Sequence, residues 1–349
     1  MRVGVYGAGG ARCQRAQSRV AVLAIFLVTF PFFALIAAGY GAARGRILPL
    51  EAIPGLNSFV LYFALPCMLY RFGANTPIAQ LLDGSVALVW GVAAFLVVGL
   101  AVWLARRGGL GWNDAAFGAL VAAFPNTGFM GVPLLAAILG ASAAGPVIIT
   151  IAFDMVVTSS LCIALSRLDA GTGAAGERAA AQAVRKALAG ILRNPMPWSI
   201  LLGALASALQ WRLPVPIDRT VAMLAEAASP AALFTIGAVL ARSALLARGG
   251  GARPRRRAVL RDVLPVVAVK LVVHPLLVAA LCGAVRAAGL PLSAPAMAAL
   301  VLVAALSSAS NVSMLAERYG ADNGRIARII LWTTVGAFFS FPLAVGWVR

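Results

Sequence analysis

Residues 124–135 read Phe-Pro-Asn-Thr-Gly-Phe-Met-Gly-Val-Pro-Leu-Leu. They lie inside an apolar run over 115–139, and a bilayer-spanning helix needs roughly 20 such residues. Pro125 and Pro133 each remove a backbone donor, and Gly128 and Gly131 between them weaken helix formation. Backbone freed from its own ladder cannot face hydrocarbon; it survives only buried in protein or lining a watery cavity. Asn126 and Thr127 add side-chain donors and acceptors at the break. The stretch reads as an interrupted membrane helix, with a proline kink packed on a neighbour as the plain alternative.

The rest of the chain supports a membrane setting. Of 349 residues, 62% are hydrophobic and 11% charged, with a mean hydropathy of +0.93. A soluble domain is typically about a quarter charged, so no sizeable soluble domain is expected. Ten apolar runs follow one another, at about 21–43, 52–70, 85–105, 115–139, 144–166, 196–211, 219–241, 263–285, 294–316 and 326–348. The longest polar interruptions, 167–194 and 242–262, read as solvated basic loops on one side.

Alternate sides of a ten-span chain carry 19 and 9 basic residues, with Lys270 inside a span. The positive-inside bias assigns the richer side to the cytoplasm, and both termini to the other. The net charge of +18 is therefore membrane-surface charge against anionic lipid, and no nucleic acid partner is expected. Residues 1–20 read as a mis-chosen start or a partly processed leader. Their VGVYGAGGAR stretch has Arg12 where a dinucleotide fingerprint needs its third glycine, so it carries no cofactor expectation.

Internal repetition is testable by eye. LVAAFP at 120–125 and LVAALS at 302–307 fall in the fourth and ninth spans, and Pro66 and Pro230 in the second and seventh. Five spans is an odd number, so a second copy must enter the membrane from the opposite side. The expected organisation is a leader over 1–20, a first five-helix repeat over 21–166, a cytoplasmic basic loop over 167–195 and a second repeat over 196–349. In the ninth span, Ser307, Ser308, Ser310 and Ser313 frame Asn311. They form a polar seam that serves either a second break or close helix packing. Two broken helices crossing near the midplane would turn half-helix N-termini toward an anion. This nominates Asn126, Thr127, Gly128, Ser308 and Asn311 for solute binding, with Pro125, Pro133 and Ser307 shaping the crossover.

Four ionisable residues interrupt apolar runs: Asp154, Glu226, Lys270 and His274. Intramembrane charges default to functional hypotheses. Lys270 is a candidate partner for a substrate carboxylate, or for Asp154 or Glu226 as a structural ion pair. His274 is the only histidine, and a side chain that titrates near neutrality suits proton coupling or simple hydrogen-bonded packing. One histidine excludes HExxH and multi-histidine metal sites, and neither GxSxG nor a GxxxxGK loop occurs. No enzyme, metal or cofactor is expected. Cys67, Cys162 and Cys282 lie in apolar runs without CxxC spacing, as packing residues.

FPNTGFMGVPLL, SNVSMLAERYG at 310–320, LNSFVLYFALPCMLYRF at 56–72 and PFFALIAAGYGAARGRIL at 31–48 together resemble the auxin efflux carrier family, in its bacterial malonate-carrier-like branch. The resemblance implies an all-α polytopic protein of ten transmembrane helices, as two inverted five-helix repeats with crossing broken helices 4 and 9. It implies a secondary active transporter of a small organic anion in the bacterial inner membrane, with proton or sodium as candidate coupling ion and a homodimer as one open assembly. It carries the crossover roles to Pro125, Asn126 and Asn311. The family usually has proline where this chain has Ser307, and a serine can bend a helix by back-bonding. The alternative function is a solute sensor or partner protein on the same fold without flux.

Overall fold

The computed structural model describes residues 30–168, 185, 195–249 and 256–348. The leader and most of the loop 167–194 lie outside the described residues. Among those described, the chain is helical throughout, with no strand longer than a single bridge. The segments are α1 (30–44), α2 (Leu50–Ala74), α3 (Ala79–Arg107), α4 (Trp112–Ala123), α5 (Thr127–Leu139) and α6 (Ala144–Leu165). They continue as α7 (Pro195–Ala208), α8 (Val215–Gly249), α9 (Arg261–Ala287), α10 (Ala294–Ala304), α11 (Val312–Arg318) and α12 (Asn323–Val348). Six are long and apolar enough to cross a membrane: α2, α3, α6, α8, α9 and α12. Phe95, Leu201 and Phe339 stand exposed on α3, α7 and α12, and such side chains suit lipid contact.

Helix ends follow local chemistry. Asp83 caps the longer part of α3, its carboxylate accepting from the N–H of Ser85 and Val86. Ser293 does the same for α10 through the Ala296 N–H. α7 stops at Ala208 because Gln210 adopts a left-handed conformation, φ 53°, while the Trp211 N–H reaches back to the Ala206 carbonyl. The expected run to 211 is therefore shorter. The expected polar loop 242–262 is largely helical instead: α8 runs on to Gly249 and helix resumes at Arg256. Arginine is a good helix former wherever solvent holds its charge, so polarity alone did not end either helix.

Four wide, π-type turns interrupt the long helices, at Val60–Ala64, Thr127–Gly131, Asp154–Thr158 and Val269–Val273. Three precede a proline within two residues: Pro66, Pro133 and Pro275. A proline withdraws its donor and its ring crowds the carbonyl four residues back, and a wide turn relieves both. The fourth turn has no proline; there the Ser159 hydroxyl donates to the Asp154 carbonyl at 2.8 Å.

Two glycine pairs set the tightest crossings. A Cβ on Gly39 of α1 would collide with the Phe234 carbonyl of α8, and one on Gly237 with the Ile36 carbonyl of α1. Likewise a Cβ on Gly203 of α7 would meet the Tyr70 carbonyl of α2, where Gly73 faces Gly203 and Ala204. Only glycine permits such backbone contact. α1, α2, α7 and α8 thus form one tightly joined group. The large buried core of Trp90, Phe117, Leu120 and Phe341 centres on α3, α4 and α12.

Candidate functional site

The two interruptions meet. α4 ends at Ala123 and Phe124 is extended, φ −94° and ψ 102°, before α5 starts at Thr127. α10 ends at Ala304, and helix resumes only at Val312. The Asn126 N–H donates to the Ser307 carbonyl at 2.8 Å, and the Ala309 N–H donates to the Phe124 carbonyl at 3.0 Å. This reciprocal pair makes an antiparallel bridge between Pro125 and Ser308. Each break thus satisfies the backbone groups the other frees, as burial requires. Ser307 adds a long contact from its hydroxyl to the Met130 sulfur, 4.0 Å, and the Ser308 N–H donates to Thr333 Oγ1 of α12 at 3.2 Å. Proline at position 307 is thus dispensable for the break: the carbonyl of Ser307 is held by the other segment.

Asn126, Thr127 and Ser308 are buried at this crossing, while Gly128 and Asn311 are partly exposed. Three buried polar atoms here have no hydrogen-bond partner among the described residues: Asn126 Oδ1, Ser308 Oγ and Asn311 Oδ1. Buried polar atoms are normally satisfied, so these three are open to a partner other than the described protein atoms. α5 begins without a side-chain cap on Asn126, which leaves the positive end of the half-helix open to an anion. Gly128 faces Met196 of α7, where a Cβ would come within 3.3 Å of its methyl. Pro133, by contrast, lies a full turn along α5, where it widens the first turn rather than touching the bridge.

A second polar cluster lies beside the crossing, at the C-terminal ends of the first half-helices α4 and α10. The Lys270 ammonium donates to the Ala304 carbonyl, 3.1 Å, and lies 3.2 Å from His274 Nδ1. The Ala122 carbonyl of α4 acts on the imidazole, whose Nε2 makes no hydrogen bond among the described residues. Lys270 and His274 therefore serve the negative, C-terminal ends of α10 and α4. Asp154 completes the cluster, its Oδ1 accepting from Trp90 Nε1 at 3.1 Å and Thr158 Oγ1 at 2.8 Å, while Oδ2 has no partner. Asp154 and Lys270 attract one another electrostatically without forming a direct ion pair; Arg328 to Asp322 is the ion pair found among the described residues. All three side chains are fully buried.

The nominated residues thus fall into three groups. Asn126, Thr127, Gly128, Ser307, Ser308 and Asn311 gather at the crossing. Asp154, Lys270 and His274 gather behind it, where Lys270 directs two of its three donors to protein. Glu226 joins neither: it is exposed and lines a separate cavity with Arg71. Its apolar neighbours belong to the faces of α8 turned elsewhere, which a linear run does not reveal. Trp90 and Thr158 were missed by sequence reading. An indole N–H in an apolar span signals a buried acceptor, and Thr158 stands one helical turn after Asp154.

A sequence profile of the family described as membrane transport protein matches residues 24–345, nearly the whole chain. The chain belongs to the auxin efflux carrier family. It is accordingly an integral membrane transporter. Among relatives in the family, a protein of Rhizobium meliloti (strain 1021) named "Putative malonate transporter" is 31% identical over 317 residues, covering 88% of this chain and 91% of that one. "Auxin efflux carrier component 8" of Arabidopsis thaliana is 23% identical over 270 residues, covering 63% of this chain and 73% of that one. "Uncharacterized transporter YfdV" of Escherichia coli (strain K12) is 25% identical over 220 residues, 60% of this chain and 67% of that one.

Proposed function

We propose that this auxin efflux carrier family member is a secondary active transporter of small organic anions, with malonate-like dicarboxylates as the first class to test. The observation that carries the reading is the bridged crossing with its three unpartnered polar atoms, Asn126 Oδ1, Ser308 Oγ and Asn311 Oδ1. The Ser308 hydroxyl and the Nδ2 groups of Asn126 and Asn311 can donate to a carboxylate, the two Oδ1 atoms can accept from its protonated form, and the uncapped start of α5 adds a favourable dipole. The name of the Rhizobium relative motivates the choice of dicarboxylate.

The working architecture is ten spans as two inverted five-helix repeats, α4 with α5 forming the fourth span and α10 with α11 the ninth. Support comes from register: Gly203 and Gly237 follow Gly39 and Gly73 by 164 residues, as Pro230 follows Pro66. An inverted two-fold relation exchanges the α1–α8 crossing with the α7–α2 crossing, and both use backbone contact at glycine. Alternating access would then rock α3–α6 and α9–α12 against the group α1, α2, α7 and α8. In this reading Lys270 holds the crossing from behind, and Asp154 and His274 are the candidates for ion coupling, by proton or sodium. The location is the bacterial inner membrane with both termini outside the cytoplasm, and a homodimer is one assembly compatible with it.

The test is uptake of labelled three- and four-carbon dicarboxylates into proteoliposomes, in wild type and in Asn126→Ala and Asn311→Ala. Saturable flux that drops at least about tenfold, the worth of one charge-assisted hydrogen bond, supports the reading. Absence of flux for every organic acid, or flux untouched by both substitutions, refutes it. Solute binding without flux would favour a sensor on the same fold.

A further inference from the structure

The positive-inside count over the sequence assigns nine Lys and Arg to the side opposite the basic loops, of which four precede residue 20. Of the remaining five, three converge on one cavity. Arg71 comes from the last turn of α2, Arg212 from the α7–α8 connection and Arg219 from the start of α8. With Tyr70, Asn75 and Trp211 they line a space of about 560 Å³. Arg71 and Asn75 also line an adjoining space of about 370 Å³, bounded by Glu226 of α8 and Ala144 of α6.

This convergence is built by packing. The close approach of Gly73 and Gly203 brings the ends of α2 and α7 together. The Ser207 hydroxyl then ties α7 to the Thr76 carbonyl at 2.8 Å, and the left-handed Gln210 turns the chain toward α8. Three guanidiniums share the larger space with one carboxylate, Asp218, and none of the three forms an ion pair among the described residues. Guanidinium forks match carboxylates in pairs, and a cleft with low-dielectric walls concentrates the field of its charges. Arginines on the side where the positive-inside bias disfavours them, gathered and left unpaired, fit an anionic ligand better than random surface charge. Glu226 in the adjoining space offsets Arg71 there, so an anion held in the outer space is not trapped farther in.

We propose that the Arg71–Arg212–Arg219 cavity is an outer capture site for small dicarboxylates, feeding the seam between α2, α8 and α6. The proposal rests on the carrier reading, and it has a readout of its own. Trp211 lines the cavity, so its fluorescence in the purified full-length protein, taken as the difference from Trp211→Phe, reports occupancy without transport. A three- or four-carbon dicarboxylate is expected to change that signal in wild type and in Asn126→Ala, and not in the triple variant Arg71→Gln/Arg212→Gln/Arg219→Gln. In right-side-out vesicles the triple variant is expected to raise the KM for external dicarboxylate roughly tenfold at low ionic strength, with Vmax held within about twofold. The KM gap should close near 0.5 M NaCl, where the screening length falls to roughly 4 Å. Asp218→Asn should move KM the other way. A Trp211 signal that survives the triple substitution, or an unchanged KM at low salt, overturns the capture site. A Trp211 response in a protein without flux keeps the site and removes the carrier reading instead.

Discussion

The Lys270 ammonium sits 3.1 Å from the Ala304 carbonyl, the last helical residue of α10. A helix that stops inside a membrane leaves carbonyls without partners, and here a buried cation from α9 takes one of them. The same side chain lies 3.2 Å from His274 Nδ1, one turn along its own helix. With the ammonium donating, Nδ1 accepts and the imidazole proton belongs on Nε2, toward the end of α4.

Replacing Lys270 by Met removes the donor and leaves the Ala304 carbonyl and the Asp154 carboxylate without their cation. A buried group stripped of its partner costs about 1–3 kcal/mol. Thermal unfolding in detergent should move down by several degrees, and Lys270→Arg should not restore it, because the site encloses the ammonium completely. A variant as stable as wild type would show that the contact carries no weight.

Asp154 accepts from both Trp90 and Thr158 through one oxygen. Asp154→Asn keeps an acceptor there and should leave folded yield near wild type, whereas Asp154→Leu orphans two donors and should lose about 1–3 kcal/mol. The comparison is read from melting curves of both variants. If Asp154 also couples ion movement, Asp154→Asn will retain the fold and lose accumulation against a gradient.

Gly203→Val and Gly237→Val each drive a side chain into the backbone of the neighbouring helix. Overpacking a core usually costs about 1–3 kcal/mol by displacing side chains; a carbonyl cannot step aside, so both variants should exceed that range. Size-exclusion profiles of the solubilised proteins should show aggregation in both cases. The two-fold reading makes Gly39 the counterpart of Gly203 and Gly73 that of Gly237, so Gly39→Val is expected to match Gly203→Val in severity.

Arg325 is buried at the start of α12, donating to the carbonyls of Asp114 at 2.9 Å and Asp262 at 3.4 Å. Its backbone N–H is held by Asp322 Oδ1, and Gly118 of α4 leaves room for the guanidinium. Arg325→Lys supplies one ammonium in place of a fork and cannot reach both carbonyls. The loss should be about 1–3 kcal/mol, seen as earlier unfolding and faster proteolysis at the α4, α9 and α12 ends. Unchanged protease resistance would argue that the fork is not what joins them.

Composition and local chemistry alone determined that this chain is helical and membrane-embedded, because hydropathy and proline or glycine content act over one helix at a time. They also located the interruption at Pro125 to Gly131, since its prolines and glycines break the ladder there, whereas the polar seam around Ser307 to Asn311 stayed open between a second break and close packing. Tertiary structure alone decided who meets whom. The Phe124 carbonyl pairs with the Ala309 N–H across the chain, Trp90 finds Asp154, and Glu226 leaves the buried cluster for an exposed cavity beside Arg71. Such partners lie many residues apart, and their choice depends on helix rotation and on the close crossings that glycine permits, neither of which is a property of any single segment.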